Sequence, residues 1–243
     1  MGVFNFPAME DYWHLESRFS VIAAIMPRHS VDEVMVAYKG TRAGSLRQYI
    51  ALKFKIFCRA SSSIIIHDLL LYQGVSTFFY IALTKQEEAL PLGDKLVTLC
   101  KTITLPRLSF VIFDSYLPSF DLVQNLHANL GVKCIGTVRP NRMGEASLKT
   151  YKELMEEGRG AFDYRSAEGV IAVKWFDNKC VSLLSDSCGI MPLSSVKRWS
   201  NEDKTKIAVT CPSLIPVYNQ HMGGIDLSDM LIHMYKTPVK SSR

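Results

Sequence analysis

The chain has 243 residues, 48% of them hydrophobic and 21% charged, with a formal net charge of +5. This composition excludes a disordered or fibrous chain and predicts one domain with an appendage, or two small ones. The mild positive balance is compatible with nucleic acid without specifying it. The longest apolar stretches, such as Leu108 to Phe113, fall far short of the roughly 20 residues a membrane-spanning helix needs.

Residues Met1 to Met9 lack the basic start and continuous apolar region of a secretory signal, so a nuclear or cytoplasmic location is expected. The six cysteines are scattered singly, without Cys-x-x-Cys spacing or a paired histidine. Buried free thiols are the expectation, with neither a zinc site nor disulfides.

From Glu10 to Met26, Tyr12, Trp13, Leu15, Phe19, Ile22 and Ile25 recur near helical spacing, which predicts a helix ending at Pro27. Val31 to Tyr49 reads as short apolar pieces broken by Gly40 and Gly44. Leu52–Arg59 and Ile64–Leu71 then form a hairpin-like pair of strands. Leu108 to Phe113 is a β-rich run ending on Asp114. Ser119 to Leu130 reads as a helix with Gly131 as its C-cap, and Val132 to Val138 as the next strand. Glu145 to Gly158 is a charged, exposed segment. Val170–Phe176 and Lys179–Leu184 are strands turning at Asp177-Asn178, and Ile225 to Tyr235 starts a helix behind Gly223-Gly224.

Asp114 and Asp177 thus end strands, while Asp226 opens a helix with Asp229 one turn on. Two-metal phosphodiester chemistry needs carboxylates converging on ions about 4 Å apart, and strand ends with a helix start supply such convergence. Mg²⁺ takes oxygen ligands and keeps several waters, so two or three aspartates suffice. The plainer reading is that these acids are turn residues and caps, Asp177-Asn178 being a good hairpin turn. Six basic residues and no acid lie between Lys39 and Arg59: Lys39, Arg42, Arg47, Lys53, Lys55 and Arg59. Arg139 and Arg142 form a second pair. On exposed edges they would neutralise phosphates; a solvated face is the alternative. Trp175 and Trp199 suit base stacking or, more commonly, core packing.

Four blocks in order resemble the piggyBac transposase family. They are Ser30-Val31-Asp32-Glu33-Val34-Met35 with Leu46-Arg47-Gln48-Tyr49; Phe113-Asp114-Ser115-Tyr116 with Gly136-Thr137-Val138-Arg139-Pro140-Asn141-Arg142; Val173-Lys174-Trp175-Phe176-Asp177-Asn178-Lys179 with Leu183-Leu184-Ser185; and Tyr218-Asn219-Gln220-His221-Met222-Gly223-Gly224-Ile225-Asp226-Leu227-Ser228-Asp229. The resemblance implies an α/β fold, an RNase H-like mixed sheet flanked by helices and incomplete at both ends. A helical remnant over 1–29 would precede a core over 30–243. It also implies a DDD-type site of Asp114, Asp177 and Asp226 binding Mg²⁺, with Asp186 an alternative second acid. DNA is the expected partner, contacted by Lys39, Arg42, Arg47, Lys53, Arg139 and Arg142. A homodimer is a further candidate, and no membrane is expected. Set against the family pattern, several dozen residues are missing before Ser30. A Cys/His-rich zinc-binding tail is missing after Arg243. Loss of transposition is therefore expected, leaving a DNA-binding relic or a non-enzymatic interaction domain.

Overall fold

The computed structural model describes residues 27–37, 53–79, 81–91, 93–114, 118–143 and 146–235. The predicted helix over 10–26, and Lys39, Arg42 and Arg47, lie outside them. The strands are β1 (Arg28–Ala37), β2 (Lys53–Ser61), β3 (Ile66–Leu71), β4 (Phe110–Phe113), β5 (Lys133–Thr137), β6 (Phe162–Ala167), β7 (Val170–Phe176), β8 (Cys180–Ser185), β9 (Ser194–Ser200) and β10 (Thr205–Cys211). The α-helices are α1 (Lys85–Glu88), α2 (Phe120–Asn125), α3 (Tyr151–Glu157), α4 (Leu214–His221) and α5 (Gly224–Met234).

Eight strands form one mixed sheet in the order β3-β2-β1-β4-β5-β8-β7-β6, and β9 pairs with β10 separately. The centre is parallel, β1 beside β4 and β4 beside β5, while the outer pairs are antiparallel. Every residue of β4 is buried, as a central strand covered on both faces requires. Alternation sends Val31, Phe57, Val111, Phe113 and Cys134 to one face, where they meet Leu122, Val123 and Leu126 and the 3-10 segment Asp94–Cys100. Phe110, Ile112, Ile135, Val173, Trp175 and Leu183 point the other way, onto Leu214 and Ile215 of α4. On that second face Val34, Cys58 and Ala60 receive Ile225 of α5.

Local chemistry explains the ends of the elements. Ser119 Oγ accepts the Leu122 N–H at 3.1 Å to start α2. The helix continues as a π turn, Leu126–Leu130, and closes on Gly131 in the left-handed region at φ 66°, as its C-cap position predicts. Residues 145–158, read from sequence as a charged segment, contain α3. It is framed by a capping box in which Thr150 and Glu153 exchange backbone hydrogen bonds. Val31 to Tyr49 reads as apolar pieces broken at Gly40 and Gly44; β1 takes up its first part, to Ala37, and both glycines lie outside the described residues.

Five of the six cysteines are buried, and all six are free thiols. Trp175 is 2% exposed and donates its indole N–H to Thr210 O, so it is a core residue; Trp199 is 53% exposed. Among the described residues no helix is long and apolar enough to cross a membrane.

His221 closes α4 and shares a 3.2 Å hydrogen bond with Ser62 Oγ, tying the helix to the turn after β2. Burial, then the nearby Arg28 charge, lowers its pKa to about 4. A histidine held neutral in the fold but titrating near 6.5 when unfolded stabilises above 6.5, and that stability is lost as pH falls towards 4. Thermal melts of wild type and His221→Gln across pH 7 to 4 should therefore converge towards acid, with wild type losing on the order of 1–3 kcal/mol relative to the variant. A pH-independent difference would contradict the buried neutral imidazole.

Candidate active site

The last paired positions of β1 and β4 are Val31 opposite Phe113. Asp32 and Asp114 come next, on neighbouring strands and on the face covered by α4 and α5. Asp114 continues the row Phe110, Ile112, and Asp32 stands between Ser30 and Val34, so an apolar surface turns acidic at one end. Asp226 lies in the first turn of α5, where the helix dipole favours a carboxylate, and is exposed.

What brings α5 this close is Gly224. A Cβ there would stand 2.8 Å from Ser61 O and 2.9 Å from Ser30 Oγ, so only glycine lets the helix start against β1 and β2. A Cβ on Gly223 would meet nothing within 4 Å, so the adjacent glycine faces no such constraint.

Asp32 feels its neighbours. Its pKa is raised to about 7, first by burial and then by the charges of Asp114, Asp226 and Glu33, against a hydrogen bond from the Glu33 N–H at 2.7 Å. Thr137 Oγ1 donates to Asp114 Oδ1 at 3.3 Å and lies 3.2 Å from Tyr218 Oη. Tyr218 also hydrogen-bonds Asp114, so the two hydroxyls and the carboxylate form one small network. Burial, with Asp114 and Asp32 nearby, pushes the Tyr218 phenol well above its usual range and keeps its proton in place.

Two of the three acids read from sequence therefore meet here, and the third does not. Asp177 follows β7, three strand spacings from β4 in the sheet order, or about 14 Å. It is ion-paired with Arg159 and with Arg198 Nε, the latter at 3.0 Å, and so fastens the β7–β8 turn to β9. Asp186 is also elsewhere. It accepts the Cys134 N–H at 2.7 Å and sits 3.0 Å from His127 Nδ1, at the opposite end of β5 from Thr137. The residue that sequence reading passed over is Asp32. An aspartate inside a strand, with no turn or cap to serve, was the available signal.

The donor set suits a hard cation. Crowded carboxylates are relieved by a proton or by a cation, and Asp32, Asp114 and Asp226 offer only oxygen. The Cys58 thiol is raised to about 11 by burial and by the charges of Asp32 and Asp229. Among the described residues no three His, Cys, Asp or Glu side chains are gathered closely enough to hold a metal ion. The site is thus an open group of acids rather than a closed cage.

Of the basic residues, Arg139 is exposed, two residues beyond Thr137, and Arg142 is half-buried with its charge acting on Asp94. Lys53 opens β2. Lys55 and Arg59 turn inward: Lys55 pairs with Glu33 and lies 5.0 Å from the Phe57 ring centroid, and Arg59 is 3% exposed.

The model of the family described as "Transposase IS4" matches residues 12–243. The chain belongs to that family, in its piggyBac branch. It is 33% identical over 223 residues to the human PiggyBac transposable element-derived protein 3, covering 88% of this chain and 36% of the relative. It is 31% identical over 240 residues to the human PiggyBac transposable element-derived protein 2, covering 94% and 39%. The chain thus spans little more than a third of the length of these relatives. The cryo-EM structure of the piggyBac transposase synaptic complex with hairpin DNA superposes with a TM-score of 0.63 at 22% identity, covering 89% of this chain and 42% of that one. That likeness is one of fold, an RNase H-like mixed sheet flanked by helices.

Gly224→Ala should displace α5 from β1 and lower stability by about 1–3 kcal/mol in chemical denaturation. Gly223→Ala should change it by less than about 0.5 kcal/mol. Equal effects from the two would show that the close approach at Gly224 does not hold the helix.

Proposed function

We propose that this piggyBac-type domain binds DNA and hydrolyses phosphodiester bonds at Asp32, Asp114 and Asp226, with a divalent cation of the Mg²⁺ type as cofactor. The observation that carries the reading is the placement of Asp32. Its carboxyl is pushed up to about 7 by burial and by the two other acids, which arrive from a separate strand and a separate helix. Three acids on one polar end of an apolar face have no structural task that a neutral residue would not perform at lower cost.

When bound there, a divalent ion supplies a Lewis acid for the phosphoryl oxygen and a more acidic water. Asp32 and Asp114 are set by the strand register, and Asp226 by the seat of α5 on Gly224. Hydrogen bonds among Tyr218, Thr137 and Asp114 orient the Asp114 carboxylate. Arg139 and Arg142, with Lys39, Arg42, Arg47 and Lys53, would contact backbone phosphates and give salt-sensitive affinity. The DNA in the structure of the piggyBac transposase relative supports this choice of polymer. Of cut-and-join chemistry, hydrolysis needs only the acids, a cation and water, so nicking is the activity expected of this chain.

A second reading is DNA binding without cleavage, favoured by the open, uncaged arrangement of the acids among the described residues. Nicking of supercoiled DNA in Mg²⁺ or Mn²⁺ separates the two. Asp32→Asn, Asp114→Asn and Asp226→Asn should each slow it by about 100-fold or more, the usual cost of removing one charge-stabilising group. Asp177→Asn should nick at the wild-type rate. Salt-sensitive binding with no nicking in wild type would select the second reading, and an inactive Asp177→Asn beside an active Asp32→Asn would overturn the assignment.

A further inference from the structure

A second polar cleft of about 360 Å³ opens where β1 begins, on the far side of the sheet from the three acids. Its floor is Arg59 and His29, both buried, and its rim includes His67, Thr104 and Ser63. Arg59 is placed with care: Nε donates to Leu99 O at 2.8 Å, Nη1 to His29 Nδ1 at 3.1 Å, and Nη2 to Thr102 Oγ1 at 2.8 Å. All three acceptors are neutral. The nearest carboxylate, Asp68, is reached only through Thr102, whose hydroxyl donates to it at 2.7 Å.

Holding a guanidinium away from water is costly unless an anion or several acceptors offset it. Here three of the five N–H donors are used, and one on each terminal nitrogen remains. No Asp or Glu is among the described residues that line the cleft, whereas serine and threonine hydroxyls line much of it. Burial, then the charges of Arg59 and His67, lowers the His29 pKa to about 4, so the imidazole beside Arg59 is neutral at pH 7. A fixed planar guanidinium with an N–H left on each terminal nitrogen matches the geometry of a tetrahedral oxyanion. The volume exceeds that of a lone oxyanion and so admits part of what carries it.

We propose that this cleft binds a phosphate group, with Arg59 as its anchor and the Thr104 hydroxyl as a further donor. The site is separate from the acids, because His29 and Arg59 point to the α2 face and Asp32 to the α5 face. The group could belong to a DNA backbone or to a small phosphate compound, and the same experiment tells them apart.

The test is thermal stability of the full chain titrated with inorganic phosphate, with chloride at matched ionic strength as the comparison. Wild type should show a saturable rise with a dissociation constant on the order of 1 mM. Arg59→Gln should lose it. Ser63→Asp, which places a carboxylate on the exposed rim without touching the core, should weaken it at least about tenfold and decides the matter if Arg59→Gln does not fold. A single-stranded oligonucleotide that binds Ser63→Asp more weakly, and competes with phosphate, identifies a DNA phosphate. An oligonucleotide that binds both forms equally, while phosphate binding stays variant-sensitive, identifies a small phosphate ligand. A rise no larger than chloride gives, or one unchanged in Ser63→Asp, overturns the proposal.

Discussion

The parallel pairing of β1 with β4 sets where the chemistry can lie. Its register runs out at Val31 and Phe113, so the next two side chains are carboxylates one strand spacing apart. Behind them Phe110, Ile112 and Ile135 pack under α4, and beside them Val34, Cys58 and Ala60 pack under Ile225. The apolar rows hold the sheet and helices together, and the same rows end in Asp114 and Thr137. Shifting β1 by one residue would send Asp32 to the opposite face and Val31 into the acids. Register, helix seat and acid group are therefore one constraint.

Charges elsewhere serve structure. Asp177 is held by Arg159 and Arg198, and Lys55 by Glu33. Each ties one strand or turn to another at a position where an unpaired charge would be costly. Asp32 differs in that its nearest charges are of its own sign. Under the proposed function, that contrast rather than the residue type marks Asp32 as an acid of the site.

Much of this could be read in the sequence. β2, β3, β4, β5, β7, β8, α2 and α5 carry apolar runs or alternation bounded by Gly, Pro or polar clusters, and each lies within a few residues of its predicted place. β1 read only as apolar pieces within Val31 to Tyr49; two acids, Asp32 and Glu33, fall inside the strand, and Lys55 across the pair answers Glu33. β6 is mostly exposed, and β9 alternates half-buried with exposed positions in a largely polar sequence, so apolar periodicity gave no sign of them. Two local cues were present nonetheless: Thr150-x-x-Glu153, which caps α3, and Glu168-Gly169, both at positive φ, which turns β6 into β7. That Asp114 follows a strand and Asp226 opens a helix was legible from the sequence. Asp177 carried the same signals, yet its plainer role as a turn residue is the one its ion pairs fit. No local pattern tells the two apart, because strand order decides which ends converge.

The most direct measurement is affinity cleavage with Fe²⁺ in place of Mg²⁺. Ascorbate and peroxide then cut the polypeptide next to the bound ion, and the fragments are mapped by mass. Cuts near Asp32, Asp114 and Asp226, absent near Asp177 and suppressed by excess Mg²⁺, are the expected result. Cuts clustered at Asp177, or cuts that Mg²⁺ does not suppress, would contradict an acid group built on β1, β4 and α5.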